Sequence, residues 1–249
     1  MDNILSPEEI NTMRIPGKVA GQFLKQLRRI IRPGISTKDI EIHFDKMLAR
    51  YPGMDAAFKG YCDYPASLCV SINDEIIHGI PRPEHIIKDG DFVSVDLGIK
   101  YKGLFVDTAY TYPTGKVSAI GRKLLKVGHN SLARALKKVR IGAYIGDIGS
   151  TIQNYVESNG FSVIRKFVGH GIGRVLHCPP EVPNFGVENT GEILKEGMVI
   201  AIEPMVTSGG SEVAILDDGW TVKTQDNSLS VHFEHTVAVT RRGPCIITA

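Results

Sequence analysis

Two aspartates in this chain stand where aspartates are costly. Residues 91–110 read D-F-V-S-V-D-L-G-I-K-Y-K-G-L-F-V-D-T-A-Y, two runs of alternating or apolar character joined by a turn at Lys100-Tyr101-Lys102-Gly103. Each strand is expected to end by presenting one carboxylate, Asp96 and then Asp107. A carboxylate set among Val, Leu and Phe is destabilised by desolvation unless something positive holds it. Two of them on neighbouring strands point to one strong shared partner, and a divalent cation fits. The alternative is that both aspartates cap turns.

The elements that would position them can be read along the chain. Ser6-Pro7-Glu8-Glu9 starts a helix, with Ser as cap and Glu three residues later. Ile10, Met13, Val19, Phe23, Leu24, Leu27 and Ile31 give it an apolar face, and Pro16-Gly17 is expected to kink or break it. Ser36-Thr37-Lys38-Asp39 caps a second helix running to Tyr51-Pro52-Gly53. Short strand-like runs follow at 68–72 and 75–78, then the two strands above. A second helical pair is predicted at 118–138 and 145–159, and further strands at 161–168, 198–202, 220–223 and 230–240.

That order, helix-helix-strands twice, suggests an internal repeat. Arg32, Gly34, Asp39 and Ile40 match Arg140, Gly142, Asp147 and Ile148, each 108 residues on. Gly90 through Asp96 aligns with Gly197 through Glu203 at a spacing of 107, and His78-Gly79-Ile80 recurs as His170-Gly171-Ile172. The repeat places Glu203 where Asp96 sits in the first half, and makes Glu234 the counterpart of Asp107. A pseudo-two-fold axis would gather four strand-borne carboxylates, with His170 able to join them. Such a cluster disfavours its own ionisation. Two divalent cations bridged by carboxylates remove the difficulty and would activate a bridging water as nucleophile. Oxygen ligands with one imidazole suit Mn, Fe, Co or Zn.

Bulk properties exclude several classes. Apolar residues make up 43% and charged residues 22% of 249, which is ordinary for a globular enzyme. The formal charge of +2 gives no sign of a nucleic-acid binder. No apolar run approaches the roughly 20 residues of a membrane span, and the M-D-N-I-L-S start lacks the pattern of a secretory leader. Cys62, Cys69, Cys178 and Cys245 have no C-x-x-C spacing and are read as free thiols of a reducing cytoplasm. One domain, 1–249, with pseudo-repeat halves of about 1–117 and 118–249, is the expected organisation.

His78-Gly79-Ile80-Pro81, Val95-Asp96-Leu97-Gly98, Val106-Asp107-Thr108-Ala109, Gly169-His170-Gly171-Ile172-Gly173, Glu203-Pro204 and Phe233-Glu234-His235-Thr236 together resemble the bacterial type I methionine aminopeptidases. The resemblance runs from the first helix to Val239. It implies the α/β (α+β) "pita-bread" fold, two pseudo-symmetric αββ halves whose antiparallel sheet is flanked by helices. It also implies a monomeric enzyme that removes N-terminal methionine from peptides and nascent chains. Carried onto this chain, it makes Asp96, Asp107, His170, Glu203 and Glu234 the ligands of two divalent ions, with Asp107 and Glu234 bridging. Glu203 would also handle the proton of the attacking water. His78 and His177 would contact substrate and stabilise charge as non-ligands, a role suited to an imidazole near neutral pH; the alternatives are a core histidine closing a strand at His78 and a surface residue at His177. Tyr61, Cys62, Tyr64, Cys69, Leu176 and Trp220 would form the methionine pocket, since a thioether suits aromatic and thiol neighbours.

Two positions depart from the family pattern. Phe58 stands where many relatives have Cys, and Leu176 where bacterial relatives often have Phe. Some relatives also hold a monovalent cation near the positions matching Asn73–Glu75 and Ser230. Competing readings are a proline-directed aminopeptidase of the same fold and a non-catalytic binding protein. The basic faces at Lys25–Arg32 and Arg134–Arg140 are either solvated surface or a ribosome contact.

Overall fold

The strands Phe92–Tyr101 and Leu104–Pro113 pair antiparallel over their whole length. Between them Lys102 and Gly103 both take positive φ, 51° and 77°, the two-residue turn whose twist matches that of the flanking strands. Asp96 pairs with Ala109 and Asp107 with Gly98, so both carboxylates lie mid-strand rather than at strand ends. They occupy diagonal positions on one face. Met54–Ala56 and Cys69–Ile72 flank the Phe92–Tyr101 strand and complete a four-stranded sheet.

The computed structural model describes residues 4–249; residues 1–3, where the leader reading begins, lie outside the described residues. A five-stranded antiparallel sheet forms the second half, in the order Gly243–Ile246, His235–Thr240, Val199–Ile202, Gly169–Gly171, Cys178–Val182. Two three-stranded sheets are also present. One joins Ser230–His232, Met205–Thr207 and Ser162–Val163, and the other Val213–Ile215, Val222–Thr224 and Glu75–Ile77.

Four helices cover these sheets: α1 (Pro7–Ile30), α2 (Thr37–Leu48), α3 (Ala119–Leu136) and α4 (Ile145–Ser158). α1 packs on the Phe92–Tyr101 and Leu104–Pro113 strands, while α3 and α4 pack on each other and on the second group of strands. Two cores result. Met13, Phe23, Phe44 and Val95 belong to one, and Leu124, Ile148, Ile200 and Val237 to the other.

Both predicted caps are present: Ser6 with Glu9 and Ser36 with Asp39 form reciprocal capping boxes. The expected break at Pro16-Gly17 is absent, and α1 runs unbroken through it. Pro16, Gly17, Ala20 and Gly21 are buried, and Gly17 lies so close to the C-terminal segment that a Cβ there would stand 2.2 Å from the Ile247 carbonyl oxygen. That close packing offsets the cost of a proline inside the helix, the lost hydrogen bond and ring clash together being about 3 kcal/mol. Two strand readings also change. Only Ser162–Val163 of the run 161–168 is strand, and the run 230–240 is interrupted at Phe233-Glu234.

Each helix pair is entered by the same backbone device. Gly34 N donates to Ile87 O and Ile87 N to Ile35 O, both at 2.9 Å. Gly142 N donates to Leu194 O at 2.9 Å and Leu194 N to Ala143 O at 2.8 Å. Gly34 and Gly142, 108 residues apart, have positive φ of 94° and 82°, a conformation that a Cβ disfavours.

Candidate metal centre and its pocket

The halves meet where the Leu104–Pro113 strand runs beside residues 232–236. Thr236 Oγ1 accepts from Asp107 N at 2.9 Å and donates to Asp107 O at 2.8 Å. Thr111 Oγ1 does the same for His232, at 2.8 Å from its N and 2.9 Å from its O. Between these clamps Glu234 N donates to Ala109 O at 2.9 Å, and Thr108 Oγ1 to Glu234 O at 2.8 Å. Asp107 and Glu234 are thereby fixed from both sides by buried neighbours. The interruption at Phe233-Glu234 is the point at which the chain leaves its own sheet to make these bonds.

Asp96, Asp107, His170, Glu203 and Glu234 converge there. One oxygen each from Asp96, Asp107 and Glu234 lies within 4.8 Å of the others, and so do single ligand atoms of His170, Glu203 and Glu234. The two triads share Glu234. Asp107 and Glu234 are 4% and 2% exposed. Burial raises every one of these carboxyls: Asp96 to about 6, Glu203 to about 8, and Asp107 and Glu234 well above the ordinary carboxylate range, with Asp96 and Glu203 adding charge repulsion to Asp107. Asp96 Oδ1, Asp107 Oδ1 and Glu234 Oε1 are buried with no hydrogen-bond partner. Buried oxygens are rarely left so, and their common orientation fits a cationic group.

His170 is set to join them. Its Nδ1 lies 3.0 Å from the Gly171 carbonyl, which can only accept, so Nδ1 carries the hydrogen. Nε2 then turns a lone pair toward Asp107 at 4.0 Å and Glu203 at 3.7 Å. Burial holds this imidazole down to about 3, with His177 adding to the effect, so it is neutral at pH 7.

The centre floors a cavity of about 240 Å³. All six residues expected in the pocket line it, as do His78 and His177. Trp220 stands edge-on to Tyr64 at 5.0 Å and to His78 at 6.2 Å. Cys69 pairs directly with Asp96, and burial together with that carboxylate pushes its thiol well up, keeping it protonated. Phe58, buried, also lines the cavity, because Gly98 leaves it room: a Cβ there would lie 2.7 Å from the ring. Leu176 is 2% exposed and fills its position with aliphatic bulk.

His78 adopts φ 60°, a left-handed backbone that non-glycine residues rarely take and that clusters at functional sites. Burial, then the neighbouring His232 and His177, hold its imidazole down to about 4. His177 is exposed at the cavity mouth, with its Nδ1 2.9 Å from the Tyr61 hydroxyl. Near the expected monovalent-cation turn, Asn73 O accepts from both Ser230 N and Ser230 Oγ at 2.8 Å, so that turn closes on protein donors.

His232 was not anticipated. It is 1% exposed, and its partnerless Nε2 lies 3.6 Å from Glu203 Oε2. Its spacing of two from Glu234 in an extended run was the available signal.

A profile of metallopeptidase family M24 matches residues 11–241. The chain is similar to methionine aminopeptidase of Clostridium perfringens, 45% identical over 96% of both chains. It is also similar to methionine aminopeptidase 1 of Bacillus subtilis, 43% identical over 98% of this chain and 97% of that one. The crystal structure of methionine aminopeptidase from Thermotoga maritima superimposes with a TM-score of 0.96 at 43% identity, covering 98% of each. The prolidase of Pyrococcus horikoshii, 20% identical with a TM-score of 0.78, shares the fold, and this chain covers 63% of it. On this evidence the chain belongs to metallopeptidase family M24 and, within it, to the methionine aminopeptidases.

Proposed function

We propose that this chain removes the N-terminal methionine of peptides and nascent proteins by metal-dependent hydrolysis of the first peptide bond. The observation that carries the reading is the pair of donor triads sharing Glu234 on the floor of a thiol- and aromatic-walled cavity. Asp96, Asp107 and Glu234 would hold one divalent ion, and His170, Glu203 and Glu234 a second, with Asp107 as the other bridge. Bound there, Co, Mn, Fe or Zn supplies Lewis acidity and lowers the pKa of water.

The remaining work falls to side chains. Glu203, placed among the donor atoms and ionised once a divalent ion is bound, can take a proton from water and return it to the departing amine. His177 and His78 face the cavity as neutral imidazoles able to hydrogen-bond the scissile carbonyl and the peptide backbone. Tyr64, Cys69, Trp220 and Phe58 enclose a space suited to an unbranched, polarisable side chain. The small enclosed volume favours recognition of a single terminal residue.

With this reading goes a single catalytic domain of two pseudo-symmetric halves, monomeric and cytoplasmic, acting close to the ribosome. None of the described helices is long and apolar enough to cross a membrane. Release of methionine from Met-Ala-Ser and Met-Pro peptides, beside Ala-Pro controls and with metal content measured on the same sample, tests the proposal. Cleavage confined to Ala-Pro, or no divalent ion bound, overturns it.

A further inference from the structure

His170 and His177 stand ring against ring, with centroids 4.2 Å apart at 74°, yet their Nδ1 atoms meet different chemistry. His170 Nδ1 faces a carbonyl. His177 Nδ1 faces a phenol hydroxyl at 2.9 Å, and a phenol has a hydrogen to give. Burial raises the Tyr61 phenol, so it keeps that hydrogen at neutral pH. Where His170 must carry its hydrogen on Nδ1, His177 is free to carry it on Nε2.

The turn that presents Tyr61 is built for placement. Gly60, Cys62 and Asp63 all have positive φ, of 80°, 47° and 66°. Two of these are not glycine, a conformation retained only where surroundings impose it. Gly60 N donates to Tyr64 O at 2.8 Å and Tyr64 N to Tyr61 O at 2.9 Å, closing the turn. Tyr64 in turn is buried against Trp220. The Tyr61 ring is held 5.1 Å from the His177 ring at the cavity mouth.

We propose that Tyr61 is a positioning residue: its hydroxyl donates to His177 Nδ1, fixing the tautomer with hydrogen on Nε2, so that His177 offers the substrate carbonyl a donor instead of offering a cation a lone pair. This deepens the reading in which His177 contacts the scissile carbonyl and rests on it. The rival is concrete, because a His177 nitrogen lies within 4.8 Å of ligand atoms of Asp107 and His170. If His177 were a ligand, Nδ1–H would donate to the phenol oxygen and Nε2 would be bare.

The two tautomers are separable by side-chain ¹⁵N NMR on histidine-labelled, zinc-loaded protein, with His177→Ala assigning the resonance. The expected result is Nε2–H in the wild type and a mixture of tautomers in Tyr61→Phe. Alongside it, kcat on Met-Ala-Ser should fall about tenfold with KM within about twofold, a fraction of the ~10²–10³-fold lost when an oxyanion donor is deleted. In a His177→Ala background, Tyr61→Phe should add nothing. Nδ1–H at His177 in the wild type, or a Tyr61→Phe protein with unchanged tautomer and kcat, overturns the assignment. A wild type that binds zinc but releases no methionine would sink the aminopeptidase reading, while the tautomer measurement would still decide the Tyr61 bond.

Discussion

Glu203 carries two duties that a single substitution can separate. It is placed among the metal donors, and as the carboxylate that cation binding requires it can also accept a proton. Glu203→Gln keeps the shape and one donor oxygen but removes the base. We expect turnover of Met-Ala-Ser to fall by about 10²-fold or more at saturating metal, with elemental analysis confirming that ions are still bound. A variant with full metal and full turnover would remove the base assignment. At this scale much was legible beforehand. Charged residues inside apolar runs flagged Asp96 and Asp107, the repeat supplied Glu203 and Glu234, and the six motifs in order supplied their expected roles. His232 escaped because its contact with Glu203 depends on strand pairing. Met205 pairs with His232, which brings residue 232 beside the segment carrying Glu203. No local pattern encodes that pairing.

At the scale of elements, the seam between halves depends on two threonines. Thr236 is fully buried, and its Oγ1 satisfies both backbone groups of Asp107. Thr236→Val keeps the volume and orphans a buried N–H and C=O, at a cost of about 1–3 kcal/mol. In a chain of this size that lowers Tm by roughly 3–10 °C. Because Asp107 is a proposed bridge, calorimetric titration should also show weaker divalent binding; unchanged Tm and affinity would show that the clamp does not position Asp107. Gly17→Ala tests α1 separately. Its Cβ would meet the Ile247 carbonyl at 2.2 Å, and overpacking of about 1–3 kcal/mol should appear as a lower Tm with metal affinity unchanged. The existence of all four helices was legible from caps and apolar periodicity, but α1 runs through the expected break at Pro16-Gly17 and α2 stops at Leu48, short of Tyr51-Pro52-Gly53. The misses have physical causes. Met205–Thr207 is too short to show alternation, Cys178–Val182 is disguised by its two prolines, and α1 holds Pro16 because tertiary packing outweighs local propensity.

For the whole molecule, stability and cation binding are one problem. Each half contributes carboxylates that repel those of the other, and the repeat made that convergence readable before the antiparallel seam that enforces it. In the metal-free chain the signs can be worked out group by group. Buried histidines such as His78 and His170 are neutral when folded and titrate near 6.5 when unfolded. They therefore cost stability as pH falls below about 6.5 and contribute no slope above it. The carboxyls act in the opposite sense. Unfolded, they are ionised by pH 6.5; folded, Glu203 keeps its proton until about 8, and Asp107 and Glu234 are raised as well. Above pH 6.5 the folded chain thus binds more protons than the unfolded one, and stability falls as pH rises through 8. One retained proton changes stability by ~1.4 kcal/mol per pH unit, or about 3–5 °C in Tm. The chelator-treated protein should melt highest near pH 6.5 and several degrees lower at pH 8. Divalent ions need deprotonated ligands and should abolish that decline. Melting curves at both pH values, with chelator and with added manganese, measure the effect. A metal-free Tm that rises from pH 6.5 to 8, or a decline that manganese leaves intact, would mean that these carboxylates do not form one cation-binding unit.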